Sequence, residues 1–472
     1  MGLKDERGLV DSYRPLFYPR SIAVVGASDN PFKLGFQALK AVMSAGFKGE
    51  VYPVNPGADS VVQGIRSYKS VAELPDGVDL YVYAIPDDKV IDAVRQAAGR
   101  GGKAGVIFAG GFRETGESGR LRQRELVDAA ATAGMKLIGP NCIGVLNTHA
   151  HLNATFAAPL GMLPAGNVSV VSQSGGVGTC IISQLTDELA SIGKFISIGD
   201  RANIEFSDMV EYLAADEDTS VTCLFVEGLD DGRDFFERAS GVSGLKPLLA
   251  CNLGHTEHST RTALSHTGSV ASSEVVYRGA FAQAGILQAD SVEQMVLAAK
   301  ALSMGAVLGG NGVFLSTHTA GPAIVITDRC EKNGVRFPDL NPEVADAMLE
   351  FLPPHAVPAN PLDMFAFAWT DARLYLKATE LALSQDDIHC AIAVFQSGMG
   401  SGITFPAREY ASIGRKYGKP VFLCLTAPAM FAQEMAGIQA EGVPTYNRAE
   451  KTASAIIALT RLHSLQSKAT SD

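Results

Sequence analysis

Short apolar segments alternate with amphipathic segments along almost the whole chain. Residues 22–25 and 248–251 are continuous apolar runs, which is typical of strands buried on both faces of a parallel sheet. Elsewhere apolar residues recur three or four positions apart, as at Leu39, Val42 and Met43, which indicates an amphipathic helix. This alternation predicts an α/β protein built from parallel sheets with crossover helices.

Most predicted strands are followed by turn residues such as Asn55-Pro56. The strands predicted in this way are residues 22–25, 51–54, 80–85, 104–108, 135–138, 168–171, 224–226, 248–251, 313–315, 391–395 and 421–425. Ser291 and Gln294 have the spacing of a capping box, so a helix is expected to begin there. The polar residues 464–472 are expected to fray.

Two breaks in the pattern suggest domain boundaries. One is a Pro- and Gly-rich connection at residues 158–166, and the other is the double glycine at 309–310. A chain of 472 residues with 47% apolar residues can fill several separate cores. We therefore predict three α/β domains, at residues 1–148, 149–305 and 306–472.

Composition and charge exclude several classes of partner. The formal net charge is −11 and no basic run stands out, which argues against a nucleic-acid or anionic-membrane partner. The seven cysteines are scattered without metal-ligand spacing, so we expect reduced, buried thiols and no metal site. The N-terminus is too charged for a signal peptide, and no segment is long and apolar enough to cross a membrane. The expected location is the cytoplasm.

The first candidate site is the turn Gly26-Ala27-Ser28, between a strand and a helix. Backbone N–H groups at such a turn favour a phosphate. The dinucleotide-binding fingerprint is incomplete, because the next glycine is Gly35 and because Asn55 stands where an acidic residue would bind the ribose. The turn therefore indicates a nucleotide-like ligand other than a nicotinamide dinucleotide.

A second candidate lies in the next predicted domain. The loop Ser172-Gln173-Ser174-Gly175-Gly176 follows a strand, and a helix is expected from about Thr179. It lacks the ending of a Walker loop and the first glycine of a hydrolase elbow. By itself it is as consistent with a tight turn as with an anion site. Glu227 follows the next strand, where a carboxylate could orient an imidazole.

His266 completes this candidate site. It lies in a Ser- and Thr-rich loop between the strand at 248–251 and a helix predicted at 273–284. An imidazole beside a helix start can attack phosphorus while the loop supports the charge of the phosphoryl group. A lone loop histidine is more often simply hydrogen-bonded to its neighbours, so the phosphoryl role depends on the loop at Ser172 and on Glu227.

These motifs, taken together, resemble the α-subunit part of nucleoside-diphosphate-forming acyl-CoA synthetases, the ADP-forming acetyl-CoA synthetase family related to succinyl-CoA synthetase. The resemblance extends over nearly the whole chain. The motifs that carry it are residues 19–28, Gly110-Gly111-Phe112-x-Glu114-x-Gly116, Gly139-Pro140-Asn141-Cys142-x-Gly144, Ser172 to Gly176, Val226-Glu227-Gly228, Ser265-His266-Thr267-Gly268-Ser269 and Asn360-Pro361-Leu362-Asp363.

The resemblance implies a Rossmann-like CoA-binding domain followed by two flavodoxin-like domains. It also implies that acid, CoA and ATP interconvert with acyl-CoA, ADP and phosphate, through an acyl phosphate and a phosphohistidine. His266 would be the phosphorylated residue and Glu227 its supporting carboxylate. The residues that would bind phosphate are Ser172, Gln173, Ser174, Gly175, Gly176, Thr267 and Gly268. The residues that would lie against CoA are Gly26, Ala27, Ser28 and Lys33.

The three predicted domains account for the residues of this sequence, and an ATP-grasp domain would need a further stretch of chain. The resemblance therefore implies a separate β-type subunit that supplies the ATP/ADP and Mg²⁺ site, and a hetero-oligomer. The other ligands implied are CoA and a small carboxylic acid or its acyl-CoA. Two departures from the family pattern lie close to the motifs. Asn252 stands where family members usually carry a lysine, and Pro322 lies in a stretch where a double glycine is usual.

Two other functions are consistent with parts of the sequence. The first is a regulatory CoA-binding protein that keeps the fold without turnover, which the departures at Asn252 and Pro322 favour and the presence of His266 and Glu227 opposes. The second is a nicotinamide oxidoreductase, which rests on the first domain alone and lacks the ribose-binding acid.

Overall fold

The computed structural model describes residues 6–57, 60–256, 258, 273–397, 403–426 and 431–469. The chain divides into two compact units. Unit 1 comprises Met1–Thr186 and Ala190–Gln288, and unit 2 comprises Asp187–Leu189 and Ala289–Asp472.

Nineteen strands lie in the described residues. They are β1 Ser21–Val25, β2 Glu50–Val54, β3 Val61–Val62, β4 Ile65–Arg66, β5 Leu80–Tyr83, β6 Ala104–Ile107, β7 Lys136–Ile138, β8 Gly144–Asn147, β9 Leu152–Thr155, β10 Ala165–Ser172, β11 Ile192–Ser197, β12 Val221–Phe225, β13 Leu248–Cys251, β14 Leu287–Gln288, β15 Val313–Thr317, β16 Leu362–Asp363, β17 Cys390–Gln396, β18 Val421–Thr426 and β19 Thr445–Tyr446. Every strand predicted from the sequence is present, with ends that shift by up to three residues.

Helices connect these strands. The α-helices of the described residues are α1 Glu6–Phe17, α2 Leu34–Ser44, α3 Asp87–Gly99, α4 Glu117–Ala131, α5 Gly175–Asp187, α6 Phe206–Ala215, α7 Gly232–Val242, α8 Glu274–Gln283, α9 Val292–Ser303, α10 Ala320–Glu331, α11 Pro342–Leu349, α12 Phe365–Thr370, α13 Arg373–Leu383, α14 Ala407–Tyr417, α15 Ala432–Ala440 and α16 Ala449–Ala469. Short 3₁₀ turns lie at Val71–Glu73, Arg113–Thr115 and Ala158–Met162. None of the helices in the described part of the chain is long and apolar enough to cross a membrane.

The first sheet of unit 1 is wholly parallel, with the strand order β2-β1-β5-β6-β7. The central strands β1, β5 and β6 are buried on both faces, which explains their continuous apolar runs. The chain reverses its direction across the sheet at β1, which pairs with both β2 and β5. In sheets of this kind ligands bind outside the carboxyl ends of the strands at this switch point.

The second sheet of unit 1 has the order β14-β13-β12-β10-β11-β8-β9. Its five parallel strands follow the flavodoxin order, and the hairpin β8–β9 adds two antiparallel strands at β11. The hairpin is not predicted from the sequence, because its strands are short and contain polar residues. These polar residues are buried and hydrogen-bonded: the amide of Asn147 donates to the Phe17 carbonyl oxygen (2.9 Å).

Unit 2 holds a third, parallel sheet with the order β16-β15-β17-β18-β19. Helix α16 packs against α9 and α10 and continues to Ala469, so the expectation that the tail frays from residue 464 is wrong. Buried residues such as Leu459 and Leu462 anchor the helix, which keeps its α-helical form to Ala469. The predicted cap of α9 is confirmed, because Ser291 Oγ accepts a hydrogen bond from the Gln294 N–H (3.1 Å).

Three parallel sheets with crossover helices confirm the predicted α/β class, with an N-terminal Rossmann-like domain and a flavodoxin-like domain after it. The domain limits at 148 and 305 stay predictions. Strand β8 already belongs to the second sheet although it lies before residue 149, and α9 packs against α16 within unit 2.

Candidate active site

The turn after β1 is built by two glycines that approach each other closely. Gly26 has a φ of +92°, and a Cβ there would lie 2.4 Å from the Ala84 carbonyl oxygen. A Cβ at Gly35, in the first turn of α2, would lie 1.9 Å from the Gly26 carbonyl oxygen. Only glycines allow this approach, which holds the start of α2 against the carboxyl end of β1. The result is a backbone cradle suited to a phosphate group.

The other residues predicted at this turn lie around the same cradle. Ala27 is buried, and its carbonyl oxygen accepts a hydrogen bond from the Asn55 side chain (2.7 Å). Ser28 Oγ accepts from the Asn30 N–H (3.1 Å). Lys33 is exposed and immediately precedes α2. Asn55 therefore stabilises the turn through this hydrogen bond, and it stands at the position where a dinucleotide-binding protein has an acidic residue.

The loop after β10 is held by its serines. Ser172 is buried and its Oγ donates to the Ser174 carbonyl oxygen (2.5 Å). Ser174 Oγ in turn accepts from the Val177 N–H (3.3 Å), as an N-cap residue does. Helix α5 begins at Gly175, so the expected start near Thr179 is wrong. The serine cap outweighs the low helix propensity of the glycines, and Gly175 and Gly176 form the first turn.

Gln173 ties this loop to Glu227. Its backbone N–H donates to the Phe225 carbonyl oxygen (3.1 Å), and its side-chain Oε1 accepts from the N–H groups of Glu227 and Gly228 (both 3.1 Å). Gln173 is buried and Glu227 is half-buried. The structure therefore brings the Ser172–Gly176 loop and Glu227 together at the carboxyl edge of the second sheet.

Three residues that the sequence analysis gave no role also fix the backbone around Glu227. The guanidinium of Arg201 donates to the Gly228 carbonyl oxygen (3.0 Å) and to Asp230 (2.9 Å). Arg113 makes a bidentate pair with the same Asp230 carboxylate (2.6 and 2.9 Å). Each of these residues follows a strand of unit 1 in the sequence: Arg113 follows β6, Arg201 follows β11 and Asp230 follows β12. This position after a strand is the sequence signal from which a role at the site could be predicted.

Asn252, the departure from the family pattern, contributes at the same place. Its side-chain amide donates to the Val226 carbonyl oxygen (2.6 Å), directly before Glu227. Asn252 is buried, and its Oδ1 has no hydrogen-bond partner among the described residues. A neutral amide here fixes the strand end, whereas a lysine would bring a positive charge.

The turn after β7 joins the two sheets of unit 1. The Gly139–Pro140 peptide is cis, and Asn141 has a φ of +56°. The Pro140 carbonyl oxygen accepts from the Asp200 N–H (2.8 Å), and the Gly139 carbonyl oxygen accepts from the Ala202 N–H (2.9 Å). The carboxyl edges of the first and second sheets therefore meet along this turn.

Cys142 in the same turn is a packing residue. It is buried, and its thiol donates to the Ile107 carbonyl oxygen (3.2 Å). Burial raises the pKa of the Cys142 thiol far above its usual range, so the thiolate needed for nucleophilic chemistry does not form at neutral pH.

Two carboxyl groups share a proton beside this turn. Burial, the hydrogen bond that protonated Asp200 donates to Glu114, and the negative charge of Glu114 raise the pKa of Asp200 to about 8, against the opposing effects of Arg113 and Asn141. Burial would also raise the pKa of Glu114, but hydrogen bonds from Asp200 and from backbone N–H groups lower it overall. The pair therefore carries one proton near neutral pH, mainly on Asp200.

This assignment predicts a pH-dependent stability. The pKa of Asp200 is about 8 in the folded protein and near 4 in an unfolded chain, so the folded state binds more protons between these values and loses stability as the pH rises through them. We expect Asp200→Asn to remove this loss, so that its melting temperature relative to the native protein rises from pH 5 to pH 9. Asp92→Asn, at an exposed position, is the control. Parallel pH profiles for the native protein and Asp200→Asn would contradict the assignment.

The remaining predicted residues, His266, Thr267 and Gly268, lie outside the described residues, so their placement stays a prediction. Within the described ranges, no three His, Cys, Asp or Glu side chains lie together in a way that could hold a metal ion.

Comparison with known proteins agrees with this architecture. A model described as CoA binding domain matches residues 20–148, and one described as succinyl-CoA ligase like flavodoxin domain matches residues 165–302. The first contains the Gly26 turn, and the second contains the loop at Ser172 and Glu227. A CoA-binding domain followed by a succinyl-CoA ligase-like domain defines an acid–CoA ligase of the NDP-forming class.

Whole-chain relatives define the family more closely. The α subunits of acetate–CoA ligases (ADP-forming) II and I of Pyrococcus furiosus are 38% and 34% identical, over 94% and 95% of this chain and 96% and 97% of their own. A structure of Candidatus Korarchaeum cryptofilum acetyl-coenzyme A synthetase 1 with phosphate and ADP aligns with a TM-score of 0.87 and 32% identity, over 97% of this chain and 98% of its own. The chain belongs to the α-subunit family of NDP-forming acetyl-CoA synthetases.

Membership confirms the resemblance seen in the sequence and the class of ADP-forming acid–CoA ligases. The match of the first domain is to a CoA-binding domain, which removes the support for a nicotinamide oxidoreductase.

Proposed function

We propose that this chain interconverts acyl-CoA and phosphate with free CoA and an acyl phosphate, and then carries the phosphoryl group on His266. The observation that carries the proposal is that unit 1 contains a CoA-type cradle at Gly26 together with a capped helix start at Gly175, whose loop contacts the backbone of Glu227. The full reaction joins acid, CoA and ATP to give acyl-CoA, ADP and phosphate.

The chemistry requires both halves of unit 1. In the direction of acyl-CoA breakdown, a phosphate oxygen attacks the thioester carbonyl carbon, and the carbon–sulfur bond breaks to release CoA. An imidazole nitrogen then attacks the phosphorus of the acyl phosphate, and the carboxylate leaves. The start of α5 would stabilise the phosphate charge through its N–H groups and dipole. Glu227 would hold the imidazole in position and support its cationic form.

CoA is a substrate of this reaction, and the turn after β1 fits its nucleotide end. The close approach of Gly26 and Gly35 brings the start of α2 to the carboxyl edge of the first sheet, where its free backbone N–H groups would face a phosphate of the nucleotide. Lys33 is exposed beside this edge, where its ammonium group could pair with a phosphate of CoA. Ala27 and Ser28 complete the turn.

The ATP/ADP and Mg²⁺ site is proposed to lie on a β-type ATP-grasp subunit. Relatives that match the whole of this chain are named α subunits. An acetate–CoA ligase (ADP-forming) of Methanocaldococcus jannaschii is 36% identical, and this chain covers only 49% of its length. A second subunit would supply the part of that longer chain that this chain does not cover. The phosphorylated histidine would then deliver its phosphoryl group to ADP across the subunit boundary.

The acid is proposed to be a small carboxylic acid, because several relatives, at 34% to 38% identity, are named acetate–CoA ligases. Other relatives are named for different acids: a trans-feruloyl-CoA synthase is 33% identical over 95% of this chain. A panel of thioesters that includes acetyl-CoA is therefore the right substrate set.

Arsenolysis tests the proposal on this chain alone. Arsenate can replace phosphate, and the acyl arsenate formed hydrolyses at once, so CoA is released continuously without nucleotide. We expect the purified chain to release CoA from at least one thioester of the panel only when arsenate is present. CoA binding without arsenate-dependent release from any thioester would contradict the proposal and favour a regulatory CoA-binding protein.

The CoA site itself gives a direct prediction. Gly35→Ala places a Cβ 1.9 Å from the Gly26 carbonyl oxygen, so the turn must move apart. A clash of this kind costs roughly 1–3 kcal/mol, and we expect the affinity for CoA to fall by about tenfold or more. Titration calorimetry with CoA measures the change.

Gly99→Ala, at the end of α3 where a Cβ meets nothing, is the matched control and should bind CoA like the native protein. Equal affinities for Gly35→Ala and Gly99→Ala would show that the turn after β1 does not contact CoA.

A further inference from the structure

Glu114 and Asp200 form a carboxyl pair that bridges the two halves of unit 1. Glu114 lies after β6 within the CoA-binding domain, and Asp200 follows β11 in the succinyl-CoA ligase-like domain. Glu114 accepts hydrogen bonds from the N–H groups of Gly111 and Phe112, the second at 3.0 Å. Asp200 is held through its backbone, because its N–H donates to the Pro140 carbonyl oxygen (2.8 Å).

Burial and charge favour a proton between the two groups. Asp200 is only 6% exposed, and none of the residues that the structure describes donates a hydrogen bond to its buried Oδ2. Its side-chain neighbours are the Glu114 carboxyl group, the Asn141 amide and the charge of Arg113, whose guanidinium is already paired with Asp230. Two ionised carboxylates in this setting would repel each other, so a shared proton satisfies the buried oxygen.

The pair lies at the boundary between the proposed CoA and phosphate sites. The end of β6 is two strands from β1 along the same sheet edge, which corresponds to roughly 10 Å at the usual strand spacing. The nucleotide end of CoA is proposed to lie at the Gly26 turn, and its pantetheine arm carries the thiol away from there. The phosphate is proposed to lie at the second sheet. Thioester cleavage therefore has to take place near the boundary that Glu114 and Asp200 bridge.

We propose that the Glu114–Asp200 pair is the proton donor and acceptor for the sulfur of CoA. This proposal rests on the proposed function. In thioester cleavage the phosphate oxygen forms a bond to the acyl carbon, the carbon–sulfur bond breaks, and its electron pair on sulfur takes the shared proton. The pair is left as two carboxylates. In the reverse direction these carboxylates accept the thiol proton as sulfur attacks the acyl phosphate and phosphate leaves.

The proton affinity of the pair suits this task. A thiol ordinarily has a pKa of about 8.5, and the Asp200 carboxyl group has a pKa of about 8. Proton transfer between groups of similar pKa is efficient in both directions, as a reversible reaction needs. Glu114, which is half-buried, would pass the proton between the buried Asp200 oxygen and the thiol.

The two half-reactions separate this role from a structural one. Arsenolysis of a thioester needs the proton, whereas phosphorylation of the protein by labelled acetyl phosphate, without CoA, does not. We expect Asp200→Asn to lower kcat for arsenolysis by about a hundredfold and to leave CoA affinity and the acetyl phosphate labelling rate unchanged. In the native protein kcat for arsenolysis should fall above about pH 8, where the pair loses its proton, and this fall should be absent in the variant.

Glu114→Gln is the second variant and should also slow arsenolysis selectively. Unchanged arsenolysis in Asp200→Asn and Glu114→Gln would overturn the inference. Equal losses in arsenolysis and in acetyl phosphate labelling would overturn it as well, because they would show a structural role. Absence of both activities in the native protein would instead overturn the proposed function, so the two failures are distinguishable. Asp92→Asn serves as the surface control.

Discussion

Glu227→Gln is expected to slow phosphorylation of the protein by about a thousandfold, because a neutral amide neither stabilises a cationic imidazole nor accepts its proton. The backbone of Glu227 is fixed by Gln173, which accepts from the N–H groups of residues 227 and 228 (both 3.1 Å). Arg201 holds the next carbonyl oxygen (3.0 Å). Gln has nearly the same size and shape as Glu, so the substitution should leave these backbone contacts, the fold and the affinity for CoA intact. Rapid-quench labelling with acetyl phosphate measures the rate.

Glu237→Gln makes the same chemical change on the exposed surface of α7, where Glu237 pairs with Arg233. It should be phosphorylated at the native rate. A Glu227→Gln protein that is phosphorylated as fast as Glu237→Gln would exclude Glu227 from the phosphoryl transfer.

The second large effect is on stability. Lys194 in β11 is wholly buried and donates to Asp216 (2.7 Å) and to the Tyr18 hydroxyl (3.1 Å). Lys194→Met leaves the Asp216 carboxylate buried without its cation, which costs about 3–5 kcal/mol. For a unit of this size each kcal/mol lowers the melting temperature by roughly 2–4 °C. We therefore expect the transition of unit 1 to fall by about 10 °C in scanning calorimetry.

Two further proteins isolate the cause. Lys48→Met removes an exposed lysine and should leave the transition in place. Adding Asp216→Asn to Lys194→Met removes the buried negative charge that has lost its cation, and it should recover part of the lost melting temperature. A single Lys194→Met protein that melts like the native one would show that this buried cluster contributes little to the stability of unit 1.

The fold could be predicted because parallel α/β sheets have a strong local signature. Continuous apolar runs buried on both faces marked β1 and β13, and turn residues marked the ends of many other strands. The sequence places the start of α5 four residues late, because glycines are typical of loops, whereas in the structure Ser174 caps a helix that begins with them. The hairpin β8–β9 was missed, because its strands are short and partly polar.

The site could be predicted only where its residues form local motifs. The loop at Ser172 and the strand end at Glu227 are such motifs, and the structure places them in contact through Gln173. The roles of Arg201 and Asp200 depend on long-range contacts. Arg201 reaches a carbonyl oxygen 27 residues away, and Asp200 meets Glu114 from the other domain. No spacing in the sequence encodes such pairs, so they could be found only in three dimensions.

The most direct test of the central claim is the chemical identification of the phosphorylated residue. The purified chain is incubated with labelled phosphate and a panel of acyl-CoA thioesters, and the label is then located by peptide mapping, with His266→Ala as the control. Acid-labile, base-stable label that requires one thioester, maps to His266 and disappears in the variant is the predicted result. Label that persists in His266→Ala, or no label with any thioester despite measurable CoA binding, would contradict the account.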